Sequence, residues 1–275
     1  MARPTHHAKG APCWVDLTTS DPARARDFYT ALFGWTAEDP DPQHGGYFNF
    51  RKDGIRVAGC MGKVPGMEAA PEVWSVHLST PDARQTLQDA QANGGQVLVD
   101  AMDVDDLGTM SLIADPSGAA VGAWQPGTHA GFGVVYENDA PVWFELHTRN
   151  YAAALDFYRT VFGWKTVTAS DTDELRYTLL QPGDTQLAGI MDDTGHPHAT
   201  LPSHWAVYFG VADADAAVAK VREMGGSVVM EPMDTPWGRL AAVTDPTGAA
   251  FNLMQATPAM PMDSRSNQTA TSASQ

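Results

Sequence analysis

The stretch "WVDLTTSDPARARDFYTALFGW", Trp14 to Trp35, decides the fold, because "WFELHTRNYAAALDFYRTVFGW", Trp143 to Trp164, repeats it. In the first copy, strand alternation places Trp14, Asp16 and Thr18 on one face and Cys13, Val15 and Leu17 on the other. A helix follows. Ser20 or Asp21 can cap it, Pro22 suits its first turn, Phe28, Leu32 and Phe33 form an apolar stripe, and Gly34 stops it.

Other landmarks recur at the same interval. "DFY" at Asp27 returns at Asp156, "NGG" at Asn93 is matched by "MGG" at Met224, and "DPSGAA" at Asp115 by "DPTGAA" at Asp245. The period is about 130 residues, far beyond the roughly 20 to 50 of solenoid repeats, so a whole domain is duplicated. Within the first half the strand-then-helix pattern restarts at "VWSVHLST" and "PDARQTLQDAQANGG", and each start is followed by short strand candidates such as "YFNFRK", "IRVAGCMG", "QVLVDAMDV" and "TMSLIAD". The reading is an α+β chain of four βαβββ units: one domain over residues 11–126, a Gly- and Pro-interrupted linker over 127–139, a second domain over 140–257, and a small, polar tail over 258–275 expected to be disordered.

Composition removes several classes of function. With 17 Lys and Arg against 33 Asp and Glu, a formal charge of −16, the chain is poorly suited to nucleic acid, which calls for clustered basic side chains. No apolar run approaches the roughly 20 residues that span a bilayer, and no apolar signal core opens the chain, so no membrane partner and a cytoplasmic location are expected. The two cysteines, Cys13 and Cys60, sit in strand-like sequence and read as buried free thiols. No nucleophile elbow, Walker loop or dinucleotide-binding glycine motif occurs.

The duplicated units, with "FY…FGW" closing the first helix and "DPxGA" turning into the last strand, resemble the vicinal oxygen chelate superfamily of glyoxalases, bleomycin resistance proteins and extradiol dioxygenases. The resemblance covers about residues 12–256 and rests on order, spacing and duplication together. It implies two tandem glyoxalase-like domains whose curved mixed sheets surround ligand clefts. The tandem arrangement is similar to actinobacterial glyoxalase-like proteins, among them hydroxylases and accessory proteins of aromatic polyketide biosynthesis.

Metal-dependent members hold a divalent ion with His and Glu on inner strand faces. Carried over by position, the first-strand ligand falls at Trp14 and Trp143, the fifth-strand ligand near Ser75 and Ala206, the last-strand glutamate near Gly122 and Asn252, and the fourth-strand position near Gly59 and Gly189. These are not a donor set for such an ion. No metal and no other cofactor is therefore expected. His196 and His198 in "GHPHA" could chelate, but Pro197 and the polar flanks read as a surface loop; His6 and His7 fall in a loose start.

The polar residues left on the inner faces are the catalytic candidates: Asp16 and His77 in the first domain, Glu145 and His147 in the second. A histidine titrates near neutral pH and can move protons. Each also has a purely structural reading, as a buried group satisfied by its neighbours. Trp14, Trp124 and Trp143 offer π surfaces for stacking or packing, and Ser75, Tyr208, Asn252 and the loop residue Trp237 complete the ligand-binding set. Trp35 and Trp164 read as core plugs, and Trp74 and Trp205 as facing away from the clefts.

Two functions follow. One is a metal-independent enzyme or accessory enzyme acting on an aromatic, oxygen-rich small molecule, as in polyketide tailoring. The other is a protein that binds or sequesters such a molecule, as in antibiotic resistance. A metal-dependent lyase or dioxygenase ranks below both, because the ligand positions lack donors. Two fused domains can supply the pairing that single-domain relatives obtain by dimerising, so a monomer or a homodimer is expected.

Overall fold

The computed structural model describes residues 7–195 and 202–256; His6, His196, His198 and the 258–275 tail lie outside them. The described chain forms two eight-stranded mixed sheets, each carrying two helices. In the first domain β1 (Pro12–Thr19), α1 (Pro22–Phe33), β2 (Thr36–Ala37), β3 (Phe48–Lys52) and β4 (Ile55–Gly62) make one unit. The next comprises β5 (Val73–Ser79), α2 (Ala83–Ala92), β6 (Gln96–Val104), β7 (Gly108–Ala114) and β8 (Ala120–Pro126). The second domain repeats the plan with β9 (Pro141–Thr148), α3 (Tyr151–Val161), β10 (Thr166–Asp171), β11 (Arg176–Leu180) and β12 (Ala188–Asp192). It closes with β13 (His204–Gly210), α4 (Ala214–Glu223), β14 (Ser227–Thr235), β15 (Gly238–Thr244) and β16 (Ala250–Gln255).

The strand orders are identical in pattern: β2-β3-β4-β1-β5-β8-β7-β6 and β10-β11-β12-β9-β13-β16-β15-β14. The two first strands of the units, β1 and β5 or β9 and β13, meet antiparallel at the centre, and each pairs in parallel with the last strand of its own unit. This puts every inner-face residue of the central strands in register with its counterpart: Asp16 opposite Ser75 and Gly59, Glu145 opposite Ala206 and Gly189.

Alternation decides which residues enter the core. Val15, Leu17, Val76 and Leu78 are fully buried and face the helices. Helix α1 starts as the sequence implies, with Asp21 Oδ1 accepting from the Arg24 N–H, and ends at Gly34 in the left-handed conformation. Its Phe28, Tyr29 and Phe33 do not stay within their own domain: Phe28 packs on Phe251 and Phe33 on Phe209. One hydrophobic core runs through both halves.

The helix tyrosines anchor this exchange. Tyr29 OH donates to Asp245 Oδ2 of the second domain (3.1 Å) and accepts from Trp74 Nε1 (2.9 Å). Tyr158 OH donates to Asp115 Oδ2 of the first (3.0 Å) and accepts from Trp205 Nε1 (2.8 Å). The other oxygen of each aspartate caps its own "DPxGA" turn, accepting from the Ser117 and Ala119 or the Thr247, Gly248 and Ala249 backbone. The recurring "DFY" and "DPxG" motifs are thus two ends of one interdomain contact. A buried hydrogen bond to a charged group contributes about 1.5 to 3 kcal/mol. Trp35 and Trp164 are buried as plugs, their indoles donating to the Asp139 and Gly10 carbonyls.

Candidate functional site

Each sheet turns its other face away from the shared core, and the polar inner residues gather there in a cup. In the first cup β1 supplies Trp14 and Asp16, and β5 supplies Ser75 and His77. Asp16 Oδ1 accepts from Tyr47 OH (2.8 Å) and Trp14 Nε1 (2.9 Å), while His77 Nε2 lies 3.0 Å from Oδ2. The His77 contact is off the hydrogen-bond axis. Burial, the strongest influence on Asp16, opposes its charge; His77 and the Tyr47 and Trp14 donors outweigh it and hold the carboxyl below its ordinary range. Burial and the Asp16 charge push the Tyr47 hydroxyl well up, so it stays a donor.

The linker crosses one end of this cup. Gly127 and His129 donate backbone bonds to Leu107, Phe132 to Cys13, and Gly133 to Arg56, which carries the strap past the β6–β7 turn, β1 and β4. The His129 ring sits edge-on to Trp14 (4.5 Å) and to Trp124 (5.5 Å), whose indole donates to the His129 carbonyl. Phe132 closes on Trp14 from the side at 5.6 Å. Gly131 is required where the strap passes the Cys13 carbonyl, because φ is 108° and a Cβ would lie 2.5 Å from that oxygen. Trp14 beneath the strap and its cross-strand partner His77 are each only 4% exposed. Burial, then the nearby Arg56 charge, pushes His129 down to about 4, so its ring is neutral at pH 7.

The second cup has the same frame and different contents. Glu145 takes the place of Asp16 and accepts from Tyr177 OH and, at 2.8 Å, from Tyr208 OH. Trp143 Nε1 donates to Tyr177 OH at 3.0 Å. His147 Nε2 lies 3.0 Å from Glu145 Oε1 and its Nδ1 3.4 Å from Asp193 Oδ1. Burial opposes charge on His147, yet the bonds to Asp193 and Glu145 push it up to about 10, so it is an imidazolium at pH 7. Burial likewise opposes the Glu145 charge, and His147 with the two tyrosines holds the carboxyl below its ordinary range. His204 stacks on His147 with ring centres 5.0 Å apart and planes 4° from parallel. Trp143 is half-buried, and no counterpart of the linker strap covers it among the described residues.

The structure therefore brings together Glu145, His147, Tyr208 and Trp143, with Asn252 beside Tyr208 in register on β16, and separately Trp14, Asp16, His77, Ser75 and Trp124. It does not join the two groups in one site. Trp237 projects from the β14–β15 turn at the edge of the second sheet, 48% exposed. Sequence reading passed over Tyr47 and Tyr177, although each follows its carboxylate at nearly the same interval, 31 and 32 residues, a signal the repeat alone carries. Asp193 and His204 had no such signal, since the matching first-domain positions hold Lys63 and Val73.

The residues present do not fit the divalent ion that metal-dependent relatives carry. The space beside the fourth-strand positions is filled: a Cβ on Gly59 would lie 2.0 Å from Tyr47 OH, and one on Gly189 1.9 Å from Tyr177 OH. At the last strand a Cβ on Gly122 would lie 2.0 Å from His77 Nδ1. Trp14 and Trp143 stand at the first-strand positions, and among the described residues no group of three His, Cys, Asp or Glu is placed to hold a metal.

Comparison with known proteins agrees with this architecture. The family profile of the Glyoxalase/Bleomycin resistance protein/Dioxygenase superfamily matches residues 11–122 and 140–253. The "Putative glyoxylase CFP32" of Mycobacterium tuberculosis is 38% identical over 94% of this chain and 99% of its own length. The "Anthracycline biosynthesis protein DnrV" of Streptomyces peucetius is 40% identical over 91% of this chain and 95% of its own. Among solved structures, the Mn(II)-bound glyoxalase from Novosphingobium aromaticivorans superposes with a TM-score of 0.62 at 14% identity, covering 90% of this chain and 83% of that one, which speaks for the fold alone.

Proposed function

We propose that this chain, which belongs to the Glyoxalase/Bleomycin resistance protein/Dioxygenase superfamily, takes a planar, oxygen-rich aromatic metabolite into its second cup and acts on it without a metal, as an enzyme or accessory enzyme of secondary metabolism in the cytoplasm. The observation that carries the reading is the ring of Glu145, Tyr177, Tyr208 and the His147 imidazolium beside a half-buried Trp143. An indole gives a flat molecule a stacking surface. A fixed imidazolium in a partly dry cup stabilises negative charge that develops on a ligand oxygen, as in enolisation or quinone chemistry. The kinship with an anthracycline biosynthesis protein over nearly the full length supports a fused-ring ligand.

The first cup is assigned a supporting role. His77, an attractive acid or base in the sequence, is buried against Asp16 and Gly122, which supports a packing role over ligand contact. A second reading, sequestration without turnover, is favoured by one feature: both His147 nitrogens and both Glu145 oxygens already face partners within the protein.

The test is titration of the purified protein with a tetracyclic hydroxyquinone, following tryptophan fluorescence, with mass spectrometry of the ligand after prolonged incubation. Quenching with ligand turnover supports the enzyme, and quenching with ligand unchanged supports sequestration. Absence of binding overturns the proposal.

A further inference from the structure

We propose that His204 Nε2 is the acceptor that selects the ligand, and that it recognises a free phenolic hydroxyl at one end of an extended fused-ring molecule; this rests on the second cup being the ligand site.

The donors and acceptors of the cup lead to it by bookkeeping of protons. Tyr177 and Tyr208 both give their hydroxyl hydrogens to Glu145, and the Trp143 N–H goes to Tyr177. The two nitrogens of His147 face the carboxylates of Glu145 and Asp193, so both carry hydrogen and both are engaged. The ring next to it is different. His204 Nδ1 lies 2.9 Å from the Pro202 carbonyl oxygen, and a carbonyl can only accept, so the hydrogen sits on Nδ1. Nε2 is then a bare lone pair, and no described residue bonds it. Burial, aided by the His147 charge, outweighs the opposing Pro202 bond and holds His204 below the ordinary histidine range, so this tautomer persists at neutral pH.

A cup whose donors are engaged and whose rim offers an acceptor selects a ligand that brings a donor. The His147 imidazolium, stacked 5.0 Å from His204, disfavours an ammonium group there. A neutral hydroxyl remains. Position sets the length: His204 pairs across β9 with His147, four residues from Trp143, about 13 Å at the usual strand rise. A single ring stacked on Trp143 would not reach Nε2, whereas three or four fused rings would.

The experiment compares 2-hydroxyanthraquinone with 2-methoxyanthraquinone, which has nearly the same shape and no donor. The wild-type protein is expected to bind the hydroxy compound at least about tenfold more tightly, since a site built around one hydrogen bond discriminates against the analogue lacking it. His204→Phe keeps a ring on His147 and removes the acceptor; the preference should fall to about one, with affinity for the methoxy compound unchanged. His204→Gln restores a side-chain acceptor and should recover part of the preference, which also covers a poorly folding Phe variant. Trp143→Ala should weaken both probes alike. A preference that survives in folded His204→Phe, or one absent from the wild type, overturns the role of His204 and leaves the second cup standing. Failure of the wild type to bind either probe overturns the cup itself.

Discussion

The two cups share a backbone and part company in their side chains. At matching positions stand Trp14 and Trp143, Asp16 and Glu145, Tyr47 and Tyr177, Gly59 and Gly189. The first cup adds His77 and a strap bearing His129; the second adds Tyr208, His147, Asp193 and His204. In the first, every large group packs on another and the histidine on the strap is kept neutral. In the second, an imidazolium at pH 7 lies on the same face as a half-buried Trp143. The same frame thus carries two different sets of side chains.

The largest effects should come from the paired tryptophans. Trp14→Ala removes a buried ring under His129 and Phe132 and should cost about 3 to 5 kcal/mol in urea unfolding while any folded protein binds ligand normally. Trp143→Ala should cost much less stability and weaken ligand binding by about one to two orders of magnitude, the size of a lost stacking contact. The reverse pattern would assign the ligand to the first cup.

The next contrast is between the histidines. His147→Leu leaves Glu145 buried without its cation and should cost about 3 kcal/mol at pH 7. The same pair sets a pH trend: because His147 is raised to about 10, its contribution is complete below pH 6.5 and is lost as pH rises from there through 10. His129 runs oppositely. With its value depressed to about 4, stability is complete above pH 6.5 and is lost as pH falls towards 4, by about 3 kcal/mol. Denaturant midpoints of His129→Phe should lack this acid decline, and those of His147→Leu should lack the alkaline one. A wild-type stability flat between pH 4 and 6.5 would mean the strap does not hold a buried neutral ring.

The smallest expected effect is none at all. Dialysis against a chelator should leave ligand affinity of the second cup unchanged, and elemental analysis should find well under one divalent ion per chain. A stoichiometric ion whose removal abolishes binding would show that the tyrosine hydroxyls at Gly59 and Gly189 yield to a metal.

The fold was legible because its signals are periodic. Alternation in "CWVDLTT", the Asp21 cap and the Gly34 stop each act locally, and repetition at Trp143 to Trp164 doubled their weight. The positions of Asp16, Glu145, Trp14 and Trp143 on inner faces follow from the same period of two. What stayed hidden depends on three-dimensional neighbours. Nothing local marks "THAGFG" as a strap over Trp14, since its hold comes from backbone bonds to two distant strands and the β6–β7 turn. His204 likewise gains its meaning only from the Pro202 carbonyl and the His147 ring. Trp237 read as a loop residue able to close over a cleft, and it sits at the tip of an edge hairpin, where turn chemistry and not burial fixes it.

The crossed Tyr29–Asp245 and Tyr158–Asp115 contacts lock each copy to the other. Each half presents its own helix tyrosine to the other's turn, so a half expressed alone would face water with two broken locks and the apolar surface around them. Each copy thus serves as part of the other's core, and the frame of either cup is set in part by residues of its neighbour.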